Sequence, residues 1–517
     1  MKSRQKFYHG TWILTGASLV VKILSAIYRV PLQNIVGDHG YFVYQQVYPF
    51  YGLCSAVALV GLPMFVSQII AEDPTHRQAN FIRLQQLAAG LGFLGALSLW
   101  FLAPSLARMM GDFRLTPLVQ VLAGFYLVAP VLAVGRGNFQ GQLQMAPSAV
   151  SQVVEQLIRV GVILLAAFFF QKENWNWYQM GLGAHSGALF GAVGALIILF
   201  CWPHQANLTP LVNSSAWPVK TLIQRFWTSG FLLSLYGCLL VLFQLVDSVT
   251  VFKLLCQAAW TNPAVLKGIF DRGQPLAQLV LVVAVSFGTA VLPELVVLKN
   301  SARQELAAAV IHISLFLATA AALGLAALMP AINTLLFRTA TASGPLSLYV
   351  LAVIFITLAT IMNTIMNAEQ QKQNWAPLLI ALLVKIGANY LLIPSYGLWG
   401  VSGATFLASL VLAALIYRRA KLKLKQVLRL PSFLLRLSLV GASLFFGEVA
   451  FQFLGLQLGP LTRVLALGEV FLGVLGGVFL VLFLSWRWHL LTAAEWELIP
   501  IGSWLLGKMK EEQNALR

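Results

Sequence analysis

The chain has 517 residues, of which 59% are hydrophobic and only 10% charged, and its formal net charge is +17. That polar fraction is too small to coat a water-soluble protein of this size, so soluble enzymes and soluble binding proteins are excluded and the chain is expected to be dissolved in lipid. The positive charge does not imply nucleic acid, because the cations are concentrated in loops that alternate with apolar windows of bilayer-spanning length.

Those windows fall in chain order at 9–30, 41–70, 84–107, 115–135, 148–170, 179–202, 227–250, 274–293, 306–330, 345–368, 375–393, 397–417, 432–455 and 462–486. They predict an all-α polytopic membrane protein with 14 transmembrane helices. The first window follows a basic start, as a signal peptide would. It is interrupted by Lys22 and Arg29 and lacks a small-x-small cleavage site, so it is read as a retained helix. Lys and Arg gather in the loops on the side of the N-terminus, densest at Arg418, Arg419, Lys421, Lys423, Lys425 and Arg429. The positive-inside rule then places both termini in the cytoplasm and the protein in the cell membrane, and the dense run orients the chain and attracts anionic lipid. Cys54, Cys201, Cys238 and Cys256 form no CxxC pair, and no disulfide or metal site is implied.

Two stretches of the chain repeat each other. Gly181-Leu182, Ser186-Gly187-Ala188 and Phe190 recur in the same spacing as Gly397-Leu398, Ser402-Gly403-Ala404 and Phe406. Upstream, Gln140, Ala146 and Pro147 recur as Gln370, Ala376 and Pro377. Equivalent helices are six apart, so both copies enter the membrane in one direction, and a pseudo-two-fold axis along the membrane normal is expected to relate them. The expected organisation is an N-terminal lobe over 1–204 (helices 1 to 6), a second lobe over 205–430 (helices 7 to 12), and helices 13 and 14 with a cytoplasmic tail over 431–517. Paired apolar repeats that can rock about a shared centre point to transport.

Charges inside the predicted spans are the candidate functional residues, because each costs at least about 2.5 to 3.5 kcal/mol at the bilayer centre unless it is paired or wetted. Lys22 and Arg29 lie seven apart on helix 1, hence on one face, and cannot neutralise each other. Arg272, in Asp271-Arg272-Gly273-Gln274-Pro275, adds a third cation. Together they would make a basic site suited to phosphate or diphosphate, unless Arg29 snorkels to the interface and Arg272 pairs with Asp271. Asp247, Glu155, Arg159 and Lys385 are candidates for gating or ion coupling. Glu155 and Arg159 are four apart and can pair along one helix face. The repeat places Lys385 opposite Glu155 and Asn389 opposite Arg159, which allows either a contact between bundles or neutralisation of Glu155 by Arg159, with Lys385 lining water or snorkelling. No Walker loop, HExxH, GxSxG or Cys/His cluster occurs, so neither catalysis nor a cofactor is expected.

Tyr28-Arg-Val-Pro31, Tyr44-Gln-Gln-Val-Tyr-Pro49, Gly137-Asn-Phe-Gln-Gly141 running into Met145-Ala-Pro-Ser-Ala-Val-Ser-Gln152 and Glu155-Gln156, and Asp271-Arg-Gly-Gln-Pro275 resemble the flippases of the MOP (MATE-like) superfamily. The branch is that of stage V sporulation protein B and the MurJ-type lipid II flippases. The resemblance covers essentially the whole chain. It implies two six-helix lobes around a cationic cavity, with two further helices forming a groove for a lipid tail. It also implies export by alternating access of an undecaprenyl-diphosphate-linked oligosaccharide, lipid II first, for peptidoglycan synthesis. The family's helix 1 cations correspond to Lys22 and Arg29 and its helix 8 arginine to Arg272, while the helix 2 arginine of some MurJ proteins has no counterpart beside Tyr51 and Gly52. Asp247 matches the acidic helix 7 position. The partners expected are the lipid-linked substrate, membrane lipids and either a coupling ion or the membrane potential, with no nucleic acid and a monomeric state. The alternatives are a MATE-type cation-coupled exporter of small amphiphiles, which would favour acidic cavity residues, and a non-transporting scaffold of envelope or sporulation machinery.

Overall fold

A computed structural model describes residues 2–203, 217–298, 300–369, 371, 374–420, 430–456, 461–499 and 502. Gln370 of the repeat and Lys421, Lys423, Lys425 and Arg429 of the basic run lie outside the described residues. The fold is all-helical, with no strand among the described residues. The α-helices are α1 (Lys2–Ile27), α2 (Arg29–Ala56), α3 (Leu62–Glu72), α4 (Arg77–Met109), α5 (Thr116–Gly141), α6 (Met145–Lys172), α7 (Trp177–Cys201), α8 (Val219–Arg225), α9 (Leu232–Gly237) and α10 (Leu239–Gln257). There follow α11 (Pro263–Asp271), α12 (Gly273–Val297), α13 (Asn300–Ala327), α14 (Met329–Phe337), α15 (Ser343–Ala368), α16 (Ala376–Tyr396), α17 (Leu398–Arg419), α18 (Leu430–Leu456), α19 (Arg463–Arg487) and α20 (Ala493–Glu497).

Thirteen described segments are long and apolar enough to cross a membrane. The first, Gly16–Glu72, has 57 residues. A single rod of that length would run about 85 Å, nearly three times the hydrocarbon core. It is divided at Gly37, whose φ of 70° and ψ of 178° lie in a region essentially reserved for glycine. The expected ten-residue connection at 31–40 therefore shrinks to one residue. The helix instead runs on through Tyr28, which donates to the Leu24 carbonyl and accepts from Leu32 N–H. Arg29 is thus a mid-helix residue, not the end of a span. A π turn at Val57–Gly61 precedes α3, where Pro63 has no N–H to return to the carbonyl four residues back.

The described residues form two compact units. The first comprises Met1–Leu279 with Gln373–Ala408 and the second Val280–Lys372 with Ser409–Arg517. In the first unit, Phe42, Leu118, Leu122, Phe125, Ala184 and Ala188 belong to a single buried cluster. The α6/α7 contact is set by small residues on α7. A Cβ on Gly191 would stand 2.6 Å from the Glu155 carbonyl oxygen, and one on Gly187 would stand 2.9 Å from that of Arg159. The two helices touch backbone to backbone at the turn that carries both charged residues, which fixes the rotation of α6.

At the α3–α4 turn, the Asp73 carboxylate accepts from Thr75 Oγ1 (2.8 Å), the His76 N–H (3.2 Å), Trp217 Nε1 (3.2 Å) and Asn80 Nδ2 (3.3 Å). Trp217 is the first described residue after the segment 204–216, so this hub holds the start of the α8 region onto the α3–α4 turn within the first unit. In the second unit, His312 of α13 meets Glu495 at 2.6 Å, and Glu495 also closes a capping box with Thr492 at the start of α20.

Gly191→Leu should force α6 and α7 apart and lower stability by roughly 1–3 kcal/mol, read as thermal unfolding in detergent. Gly161→Ala on α6, where a Cβ meets nothing within 4 Å, should be neutral or stabilising. At Asp73, desolvation opposes ionisation, but the hydrogen bonds from Thr75, His76 and Trp217 outweigh it and bring the carboxyl down to about 2. Its folded value lies below the unfolded one of about 3.9, so the contribution is present at neutral pH and is lost as pH falls from about 4 towards 2. Asp73→Asn should therefore flatten that acid limb in a melting series against pH, whereas an unchanged limb would remove Asp73 as its source.

Candidate functional site

The seven sequence-selected residues all have described positions, and all fall in the first unit. They do not form a single group. Lys22 is exposed on α1, about 10 Å along the helix axis from Arg29 at 1.5 Å per residue. Arg272 is held by Asp38 through Nε at 3.0 Å and Nη2 at 2.6 and 2.7 Å to the two carboxylate oxygens. Gln33 donates to the same carboxylate at 2.7 Å. Asp271 is not the partner of Arg272. It is buried against Lys267 and also accepts from Gln274 (3.0 Å), which in turn accepts from Gln45 (2.8 Å).

The expected Glu155–Arg159 pair is not made. Glu155 instead receives Arg136 Nη2 at 2.7 Å, and Arg136 Nε donates to Ser151 Oγ at 2.8 Å. Residues four apart on a helix point about 40° away from each other. On α6 that offset is enough for Glu155 to meet Arg136 of α5 while Arg159 turns towards α2. Arg136 was placed beyond the end of the predicted fourth span at 135, but α5 continues to Gly141 and carries it into the interior, where it is fully buried.

With Glu155 taken, Arg159 is 3% exposed and has no carboxylate on it among the described residues. Its guanidinium carbon lies 4.3 Å from the Tyr51 ring centroid and 5.5 Å from that of Tyr28. It donates one long hydrogen bond, 3.4 Å, to the Tyr28 hydroxyl, while its Nε has no partner. Arg29 is 1% exposed, stands 4.4 Å from the Tyr48 centroid and 6.0 Å from that of Tyr28, and none of its three guanidinium nitrogens has a hydrogen-bond partner. Tyr28 and Tyr44 share a hydroxyl hydrogen bond of 2.7 Å, and Tyr44 is backed by a stacked His185. The Tyr41 hydroxyl and the Gln156 amide nitrogen are also buried without partners.

The helical spacing of Tyr41, Tyr44, Tyr48 and Tyr51 puts this aromatic stripe along one side of α2. Ring faces stabilise a guanidinium by roughly 2 kcal/mol when it is desolvated, but they accept no hydrogen bonds in the plane of the fork. The box thus keeps two cations charged inside the protein while leaving most of their donors unused, an arrangement suited to an anion that brings its own oxygens. The remaining pair, Asp247 and Lys385, meet at 2.6 Å and are fully buried.

A multi-pass, all-helical membrane protein with unmatched cations in its interior is the class that fold and site define. The chain belongs to the polysaccharide biosynthesis protein family, which it matches over residues 7–299. It is 34% identical to an uncharacterized membrane protein, YabM, of Bacillus subtilis (strain 168), over 99% of this chain and 98% of that one. It is 25% identical to the lipid II flippase MurJ of the same organism, over 80% and 81% of the two chains. The fold matches a solved structure of lipid II flippase MurJ in an inward closed conformation with a TM-score of 0.65 at 14% identity, covering 92% of this chain and 98% of that one. The fold also matches a solved multidrug resistance MATE family transporter of the MOP superfamily in an inward-facing conformation, with a TM-score of 0.58 at 15% identity, covering 79% of this chain and 96% of that one.

Glu155→Gln should leave Arg136 as an uncompensated buried charge and destabilise the protein by about 3–5 kcal/mol. The double substitution Arg136→Met with Glu155→Leu should recover much of that loss. Unfolding midpoints of Arg136→Met alone, Glu155→Leu alone and the double variant close the cycle, and an additive result would mean that the pair is not coupled.

Proposed function

We propose that this protein is a flippase for an undecaprenyl-diphosphate-linked oligosaccharide, with lipid II first, and that it works by alternating access of the lobes 1–204 and 205–430 in the cell membrane with both termini cytoplasmic. The observation that carries the proposal is the pair Arg29 and Arg159, two buried guanidiniums that make no ion pair among the described residues, whereas Arg272 and Lys385 do. A diphosphate diester carries two negative charges and cannot cross hydrocarbon unaided, whereas its isoprenoid tail is at home there. Arg29, with no hydrogen-bond partner, and Arg159, with one long bond to Tyr28, meet that charge and that geometry. Lys22, exposed on the same helix as Arg29, draws the headgroup in. Arg272 is a further ligand once Asp38 releases it. The tyrosine box must open for the headgroup to enter, and that opening is the access step.

A MATE-type cation-coupled exporter of small amphiphiles would favour unmatched carboxylates rather than unmatched guanidiniums, so the charge sign disfavours it. A non-transporting scaffold would have no use for either arginine. In the transport scheme the empty site is cationic and its return is aided by a membrane potential that is negative inside, by about 2.3 kcal/mol per charge per 100 mV.

In proteoliposomes carrying a labelled undecaprenyl-diphosphate glycan, Arg29→Gln and Arg159→Gln should each lower flipping at least tenfold while the melting temperature stays close to that of the parent. Full flipping by both variants would reject the assignment. Depletion in cells identifies the cargo as the lipid-linked precursor trapped on the inner leaflet. Flipping that is indifferent to collapse of the potential would remove the proposed driving force and leave the site intact.

A further inference from the structure

The Asp247–Lys385 contact is more than an ion pair. Four oxygens surround Lys385 Nζ. They are Asp247 Oδ1 at 2.6 Å, Thr405 Oγ1 at 2.7 Å, Asn389 Oδ1 at 3.2 Å and the Val401 carbonyl at 3.3 Å. They come from three helices, α10, α16 and α17. An ammonium has three protons to give, so four oxygens exceed what a lysine needs for satisfaction. The set of one carboxylate, one amide carbonyl, one backbone carbonyl and one hydroxyl is the donor chemistry by which proteins hold hard cations.

The oxygens are also held in place. Asn389 Nδ2 donates to Asp247 Oδ1 at 3.0 Å and to Thr250 Oγ1 at 2.8 Å, which turns its own carbonyl oxygen towards the ammonium. Thr405 donates to the Val401 carbonyl at 3.0 Å, so its lone pairs are left for Lys385. Asp247, Lys385, Asn389 and Thr405 are each buried to within 1% of completely.

We propose that these four groups form a monovalent-cation site and that the Lys385 ammonium is its permanent, covalently attached occupant. The single negative charge of the cage is neutralised by the chain itself, and the protein takes up no free alkali cation there. The inference stands on this cage alone and is independent of what the tyrosine box carries. It adds that the transport cycle does not draw on a sodium or potassium gradient at this site.

The test uses full-length protein in detergent, with sodium or potassium chloride exchanged for N-methylglucamine chloride at constant ionic strength. Parent protein should show the same melting temperature in all three salts. Lys385→Ala should melt lower in N-methylglucamine and regain stability in sodium or potassium along a saturating curve, as binding to the folded state requires. Propylammonium, which supplies the atoms deleted by the substitution, should also restore it. Lys385→Ala combined with Asp247→Asn should lose both responses. A parent protein stabilised by sodium or potassium over N-methylglucamine would overturn the proposal, because the site would then be open. So would a folded Lys385→Ala protein that responds to no small cation. Should Lys385→Ala not fold, Lys385→Gln is read in the same salts, and the parent's indifference remains an independent decision.

Discussion

A charge inside a membrane protein must be matched, wetted or used, and this constraint organises the first unit. The decisive interaction is the Arg136–Glu155 pair. By taking Glu155 it removes the one carboxylate on α6 that Arg159 would otherwise have for itself, and the tyrosines of α2 supply ring faces in its place. Asp38 holds Arg272, Asp271 holds Lys267 and Asp247 holds Lys385 by the same logic. Among the described residues none of these carboxylates makes an ion pair with Arg29 or Arg159. The site is therefore defined by subtraction. Buried ion pairs contribute little net stability, because desolvation offsets their attraction, so their value here lies in fixing which cations stay available.

The two copies of the sequence repeat handle equivalent positions in related ways. Glu155 and Lys385, aligned by the offset between Pro147 and Pro377, each find a partner of opposite sign on a neighbouring helix of the first unit. In one case the partner is Arg136 on α5 and in the other Asp247 on α10. The sequence offered a contact between the aligned charges or, instead, Glu155 neutralised by Arg159 with Lys385 lining water or snorkelling; the described contacts are neither, since Arg136 takes Glu155 and Asp247 takes Lys385.

Much of the fold was legible in the amino-acid order, because length and hydropathy are what a bilayer selects. The prolines at the starts of α6 and α16, the tight glycines of α7 and most of the apolar windows sit where periodicity and composition implied, but the first two windows merge into one segment, Gly16–Glu72, and those at 227–250 and 274–293 are displaced to Leu239–Gln257 and Pro263–Gly288. Helix ends were less legible. Arg136 and Asp38 read as loop residues because a charge ends an apolar run in sequence, although in space it ends only an apolar environment. Which acid meets which base was not legible at all. Spacing along α6 allowed Glu155 to join Arg159, and only the angle between α5 and α6 assigns it to Arg136. A usable signal was present in the dense tyrosines from Tyr41 to Tyr51, since a stripe of amphipathic rings on a buried helix invites a search for the cations it faces.

The π turn at Val57–Gly61 sets a phase. Upstream of it, one rod offers its tyrosines to guanidiniums. Downstream, Val66 and Ile70 lie so close to Gly137 and Gly141 of α5 that a methyl group on either glycine would collide with them. One residue fewer in the bulge would heal the hydrogen-bond ladder and rotate everything beyond it by about 100°, aiming other side chains at those glycines. The length of this short turn is thus as much a part of the molecule's specification as the identity of any side chain in it.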